Sequence, residues 1–373
     1  MDFQLDEDLQ ALQSLAAEIF SDLATTERVR EVETTDERVD TVLWSALAGA
    51  GLLGLAVPEE ADGAGLGIEA ACVVLEEQGR TVAPVPLWSH LVAGLVVAAH
   101  GTEEQKQLLS GIADGSVRVA LALEEFDNQP PATPGCAAVQ DSGADRWRLR
   151  GVKAAVPTPL GASPVRVSAT GPDGPGLFLV ANEWLAWESS TTTTHDLSGH
   201  LTLEDTPAER LAGSAGEPAD ALTEVLQWSA AALAAVQLGV ADGAMRLAAS
   251  YTSDREQFGR PLGSFQAVQH QLADCWIDIE AMRVTLWQAL SSITESGAGS
   301  EAARKAVLTA TWWREQAGLD VVHRVQHVHG GIGVDVDYPV HRHFLWGRQI
   351  ANTLGGAAAT LADLGDLIAE EAS

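Results

Sequence analysis

The chain is poor in positive charge, cysteine and small aromatics. Its 373 residues hold 22 Lys and Arg against 52 Asp and Glu, a formal charge of −30. Such a field repels nucleic acid and anionic lipid, so neither is expected as a main partner. It also repels any anionic thioester. A phosphate site must therefore be a local concentration of Arg, backbone N–H groups and helix N-termini. Cysteine occurs three times, at Cys72, Cys136 and Cys275. The count is odd, the spacing wide and no CxxC occurs, which excludes a disulfide or zinc framework and fits a reducing cytoplasm. The opening MDFQLDEDLQ has no basic region followed by an apolar core, so no signal peptide is expected. The longest apolar stretches, Leu91 to Ala99 and Ala230 to Val236, are too short to span a bilayer, so no membrane is expected as a partner. Tyr occurs twice and Phe seven times, whereas Trp occurs eleven times and hydrophobic residues make up 46%. A large core of closely packed helices with Trp as bulky filler is expected.

Periodicity divides the chain into three. Residues 1–115 read as an N-terminal helical domain: Leu5, Leu9, Leu12, Leu15 and Ala16 recur at the spacing of one helix face. Thr102 is placed to cap the helix in EEQKQLL, and EEADGAGLG reads as a loop. Residues 116–215 read as a middle antiparallel β domain, with strands at Val117–Leu123, Trp147–Val156, Pro164–Ala169, Gly176–Ala181 and His200–Leu203. Residues 216–373 read as a C-terminal four-helix bundle. Its long helices are Ala221–Thr252, Ser264–Glu295, Ser300–His329 and Arg348–Glu371. The fold class is α+β.

Two segments stand out chemically. In YTSDREQFGRPLGSFQAVQHQLAD a helix ends in a turn bearing Arg255 and Arg260, and Ser264 is placed to cap the next helix. Arginines beside free helical N–H groups suit a phosphate; a helix–helix turn with solvated arginines is the other reading. In QHVHGGIGVDVDYP, Gly330, Gly331 and Gly333 follow a long helix. Glycines there permit close backbone approach to a ligand, or simply end the helix. Of His323, His327, His329, His341 and His343, the first two have metal-ligand spacing, but no carboxylate or Cys sits at a matching offset, so packed or surface histidines are expected.

These segments resemble the acyl-CoA dehydrogenases along nearly the whole chain. The matching stretches are AGLLGLAVPEEADGAGLG, HGTEEQKQLLSGIADG, REQFGRPLGSFQAVQHQLAD and HGGIGVDVDYPVHR, in that order. The resemblance implies an oligomer with FAD at a subunit interface. It also implies an acyl-CoA substrate that loses an α proton to a carboxylate while the flavin takes a β hydride. An electron-transfer flavoprotein-type acceptor is implied as well. The usual base, a Glu in a Glu-Gly-Thr pattern, aligns with Leu354; the alternative base position aligns with Ser229 or Ala230. None of these is a carboxylate. The middle domain also departs: ALEEFDNQPP lacks the family's Gly-Ser-Asp, and VKAAVPTPLGA lacks its Trp.

What remains is the half that members offer to a neighbour's FAD. Arg255 matches the pyrophosphate Arg, Phe258 the aromatic beside adenosine, and Gln266 lies on the adjoining helix. Gly330 and Gly331 match the glycines at the ADP part, and the family's Gln is replaced by His327 with Gln326 beside it. YPVHRHFLWGRQIANTLGGA resembles the non-catalytic subunit of the α2β2 acyl-CoA dehydrogenases of actinobacterial steroid side-chain degradation, cholesterol catabolism included. FAD would then be shared with a homologous catalytic subunit. Two other readings stay open: a self-sufficient homo-oligomer with Glu124 or Glu125 as base, and a flavin-free scaffold.

Overall fold

The computed structural model describes residues 5–127, 129–141, 146–157, 162–211 and 218–371. Helices come first, then strands, then helices. The helices before the sheet are α1 Glu7–Leu23, α2 Thr26–Val32, α3 Thr41–Gly49, α4 Gly67–Thr81, α5 Leu87–His100, α6 Glu103–Lys106 and α7 Leu109–Ala113. Side-chain caps set several starts. Asp6 accepts from the Leu9 N–H at 2.8 Å, and buried Asp40 accepts from the N–H groups of Val42 and Leu43. Thr102 does cap α6, in a reciprocal box with Gln105.

The strands are β1 Arg118–Ala122, β2 Ala137–Gln140, β3 Trp147–Pro157, β4 Ala162–Gly171, β5 Gly174–Val180, β6 Ala186–Thr191 and β7 Leu197–Arg210. They run in the order β1-β4-β2-β3-β7-β5, with β6 beside β7, and β5 also pairs with β4 so that the sheet closes on itself. Pairing is mixed rather than antiparallel throughout: β1 and β2 both run parallel to β4. The intervening β2–β3 hairpin carries the chain across before β4 lies down beside β1. Alternation along β4 sends Val165, Val167 and Ala169 into a core with Trp147, Leu149 and Phe178. Trp147 meets Phe178 edge-on at 5.4 Å, and the Arg210 guanidinium lies 5.0 Å from the Trp147 ring centre.

The later elements are α8 Pro218–Asp254, β8 Glu256–Gln257, β9 Arg260–Pro261, α9 Gln266–Ser296, α10 Glu301–His329, α11 Val340–Ile350 and α12 Ala357–Glu371. Two expectations need correction. Ser264 does not cap α9; its hydroxyl donates to the Pro261 carbonyl at 2.7 Å, and Phe265 occupies the N-cap without a side-chain bond. The expected fourth long helix is two, α11 and α12, because Leu354 and Gly355 take φ of 62° and 145° between them. In addition, helix formation extends the Ala230–Val236 run: Ala221–Asp254 is long and apolar enough to cross a membrane, yet 83% of its most apolar window is buried in the fold.

The chain divides into two compact units. One comprises Met1–Val29, Cys72–Ala83 and Leu233–Ser373; the other comprises Arg30–Ala71 and Pro84–Ala232. The second holds the whole seven-stranded sheet. In the first, α4 and α8 approach until only glycine fits. A Cβ on Gly239 would lie 1.9 Å from the Glu76 carbonyl oxygen, and one on Gly79 would lie 2.0 Å from that of Val236. Charges lace the same crossing. Arg80 binds Glu76, Glu77 and Asp242; Arg246 also binds Asp242, at 2.8 Å; Arg283 reaches Glu76, at 2.8 Å. Gly239→Ala should force the helices apart and cost about 1–3 kcal/mol, the usual range for overpacking. A lower urea midpoint for the full chain would show it. An unchanged midpoint would mean that the crossing is looser than the backbone contacts indicate.

Candidate functional site

The turn after α8 holds two of the expected contacts. Arg255 follows the last helical residue, and its N–H still donates to the Tyr251 carbonyl at 2.9 Å. β8 and β9 then form a two-residue hairpin turned by Phe258 and Gly259, at φ of 55° and 80°. Positive φ at both turn positions matches the twist of a tight hairpin, but it is costly for a bulky residue such as Phe. Phe258 is nevertheless 92% exposed, with an edge contact to Phe265 at 6.2 Å. A strained backbone that holds an aromatic ring in water points to a binding role. Arg255 is exposed and makes no ion pair among the described residues. Arg260 is different: its guanidinium lies 4.0 Å from the Phe265 ring centre. Gln266 is exposed on the first turn of α9.

The second segment is the C-terminus of α10. Gly330 ends the helix at φ 62°, and a Cβ on Gly330 or Gly331 would meet nothing within 4 Å. Both are exposed, so the turn presents bare backbone to solvent. His327 is exposed as well, whereas Gln326 turns inward and its Nε2 donates to the Gly333 carbonyl at 2.6 Å. Of the two side chains proposed as donors to a ligand, His327 therefore reaches the surface and Gln326 closes the turn.

Three residues whose grouping the sequence did not reveal, Tyr251, His329 and Tyr338, join these segments. Tyr251, one turn before Arg255, stacks on His329 at 4.7 Å, and Tyr338 packs against both. His329 is buried, its Nδ1–H donates to the Val325 carbonyl at 2.8 Å, and its Nε2 faces the Tyr338 hydroxyl at 3.5 Å. Burial lowers the His329 pKa, which keeps the ring neutral in this stack. The cluster contains both tyrosines of the chain. That scarcity was the available signal. Arg255 and Gly330 are thus carried by neighbouring ends of one packed group.

The positions matching the family bases hold no carboxylate. Leu354 sits in the left-handed turn between α11 and α12, and Ser229 is fully buried in α8, next to half-buried Ala230. A carboxylate that the sequence reading missed lies beside the Leu354 turn: Glu315 Oε1 would be 3.8 Å from a Cβ on Gly355. It is already engaged, by Arg314 and by the Thr360 hydroxyl at 2.7 Å. Glu125 is engaged too. It accepts from Lys153 Nζ at 2.5 Å and from the N–H groups of Gly135 and Cys136. Burial pushes its pKa up, but Lys153 and those N–H groups outweigh this and hold it below the ordinary Glu value. A carboxylate so held is a weak base, and its oxygens are committed to the fold. Part of VKAAVPTPLGA, residues 158–161, lies outside the described residues.

The acyl-CoA dehydrogenase N-terminal domain model matches residues 6–116, and the C-terminal domain model matches residues 219–365. Acyl-CoA dehydrogenase FadE27 of Mycobacterium tuberculosis is 35% identical over 387 residues, 99% of each chain. Among solved structures, the Tcur3481–Tcur3483 steroid ACAD superposes with a TM-score of 0.93 at 60% identity, covering 98% of this chain and 99% of that one. The ChsE4–ChsE5 complex from Mycobacterium tuberculosis superposes with a TM-score of 0.91 at 34% identity, covering 99% of each chain. The chain belongs to the acyl-CoA dehydrogenase family.

Proposed function

We propose that this chain is the base-lacking subunit of a heteromeric acyl-CoA dehydrogenase acting on steroid side-chain CoA esters. It would give trans contacts to the ADP part of an FAD whose flavin ring is held by a homologous catalytic partner. The observation that carries this reading is a contrast within one chain. Leu354 and Ser229 stand where a base is needed, while Arg255, Phe258 and the Gly330–Gly331 turn are exposed and held in place by the Tyr251–His329 stack. The partner would supply the carboxylate.

The residues present fit the ADP half of the cofactor. Arg255 carries an uncommitted positive charge for a pyrophosphate, Phe258 offers a ring face, and Gly330–Gly331 admits close backbone approach. His327 and Gln266 flank them on the surface. When bound, FAD would accept the hydride. This chain's residues would only hold and orient its non-reacting end.

Exposed apolar residues in the same unit fit a protein partner. Phe258, Ile277, Val334 and Val336 are 92%, 62%, 71% and 65% exposed. The Tcur3481–Tcur3483 steroid ACAD and the ChsE4–ChsE5 complex, each named for two chains, support the same reading.

The test is a visible spectrum of the chain purified alone and after co-expression with a related chain that carries the Glu and Gly-Ser-Asp segments. The expected result is a colourless chain alone, and a flavin spectrum at one FAD per pair of chains together. A full flavin spectrum from the lone chain would refute the proposal and return attention to a self-sufficient oligomer.

A further inference from the structure

One guanidinium in the unit that holds the seven-stranded sheet has no counter-charge. β4 alternates, so Val165, Val167 and Ala169 enter the apolar core while Arg166 and Ser168 lie on the opposite face. Arg166 is 0% exposed. Its partners across the sheet are leucines, Leu121 of β1 on one side and Leu179 of β5 on the other. Its Nε and Nη1 are both buried, and neither meets a hydrogen-bond partner. None of the ion pairs or ring contacts among the described residues involves it.

Two other cations held by this sheet are matched. Lys153 Nζ donates to the Glu125 carboxylate and to Ser168 Oγ, the latter at 2.8 Å. Arg210 has Asp173 at 3.6 Å and the rings of Trp147 and Phe178 beside it. Glu125 is committed to Lys153 and to the N–H groups of Gly135 and Cys136, so it is not free for Arg166. No neighbouring charge acts on Arg166. Burial alone lowers its pKa, to about 9, which leaves it a cation at neutral pH. A cation taken out of water without a counter-charge is among the costliest groups that a fold can bury. A single negative charge beside the guanidinium would offset that cost and accept from the open N–H groups. Complete burial keeps a side chain of another protein from reaching it, so the counter-charge must be small enough for the fold to enclose.

We infer that Arg166 seats a small monovalent anion of about the size of chloride, enclosed in the β domain and held by the open N–H groups of the guanidinium. The inference does not rest on the proposed flavin contacts, so either can fail alone. The first probe is chloride, exchanged for gluconate at constant pH and ionic strength, with the thermal midpoint of the full chain as the readout. Gluconate is too large to be enclosed. The parent's midpoint should rise by about 2 °C or more and level off by about 200 mM chloride, as binding to the folded state alone requires. Arg166→Met removes the charge and keeps a long apolar side chain. Its midpoint in gluconate should equal or exceed the parent's, and the chloride increment should vanish. The second probe needs no variant: bromide in crystals of the parent, located by its anomalous scattering, should lie within hydrogen-bonding distance of Arg166. A water molecule in place of the anion would leave the midpoint indifferent to chloride. The inference is overturned if the parent responds to chloride and gluconate alike, if Arg166→Met keeps the parent's increment, or if bromide is absent beside Arg166.

Discussion

Glu315→Ala should be among the most destabilising single changes in this chain, at about 3–5 kcal/mol. The Glu315 side chain is fully buried, and its partner Arg314 is 1% exposed. Removing the carboxylate leaves a buried guanidinium without its counter-charge and the Thr360 hydroxyl without its acceptor. The damage should centre on the turn before α12. Arg314 Nη2 also donates to the Thr353 carbonyl at 3.1 Å, so the same pair holds the chain reversal at Leu354 and Gly355. Hydrogen exchange should therefore rise first at residues 351–371, at denaturant concentrations where α9 and α10 remain protected.

A double change separates the pair's net value from the penalty of breaking it. Arg314→Met with Glu315→Leu removes both charges and keeps the volume, so most of the lost stability should return. If the double variant is as unstable as the single one, the ion pair itself specifies the turn. If the single variant loses less than about 1 kcal/mol, the site is wetter than its burial indicates. The functional consequence concerns the base position. In this chain the carboxylate beside the Leu354 turn is a structural clamp, bonded on both oxygens. That leaves it poorly suited to take a proton.

The order of helices, strands and helices was legible because apolar periodicity is strong where elements are half-buried. β2 and β6 were missed for the converse reason. Three of the four residues of β2 are exposed, and β6 lies at the sheet's rim with no fully buried residue. A four-residue strand that is mostly exposed, or one at the rim, need not alternate, so neither leaves a pattern to read. The break between α11 and α12 did leave a trace, Gly355–Gly356, but a left-handed Leu354 did not. At the candidate site, Arg255, Phe258 and the glycines were legible from local motifs. The Tyr251–His329–Tyr338 stack was not, because its members lie 78 and 9 positions apart and meet only once α8 and α10 pack. Glu315 was hidden in the same way: one acidic residue among 52 has no distinguishing neighbour in sequence.

Arg255→Ala should weaken FAD retention by the assembled complex about 10- to 150-fold, equivalent to roughly 1.5–3 kcal/mol for a lost charge-assisted contact. The side chain is exposed and makes no ion pair among the described residues, so its removal should barely affect folding. Two companion variants sharpen the result. Arg255→Lys keeps the charge but loses the planar fork, and should recover only part of the affinity. Arg260→Ala removes a neighbouring charge that already packs on Phe265, and should lose less than Arg255→Ala. Retention is measured by equilibrium dialysis of the complex, following absorbance at the flavin maximum at low and high salt. A pyrophosphate contact should weaken with salt in the parent and lose much of that dependence in Arg255→Ala. Full flavin occupancy in Arg255→Ala, with the parent's salt dependence intact, would show that this turn does not touch the cofactor. The strained, exposed Phe258 would then be better understood as an anchor for the partner chain alone.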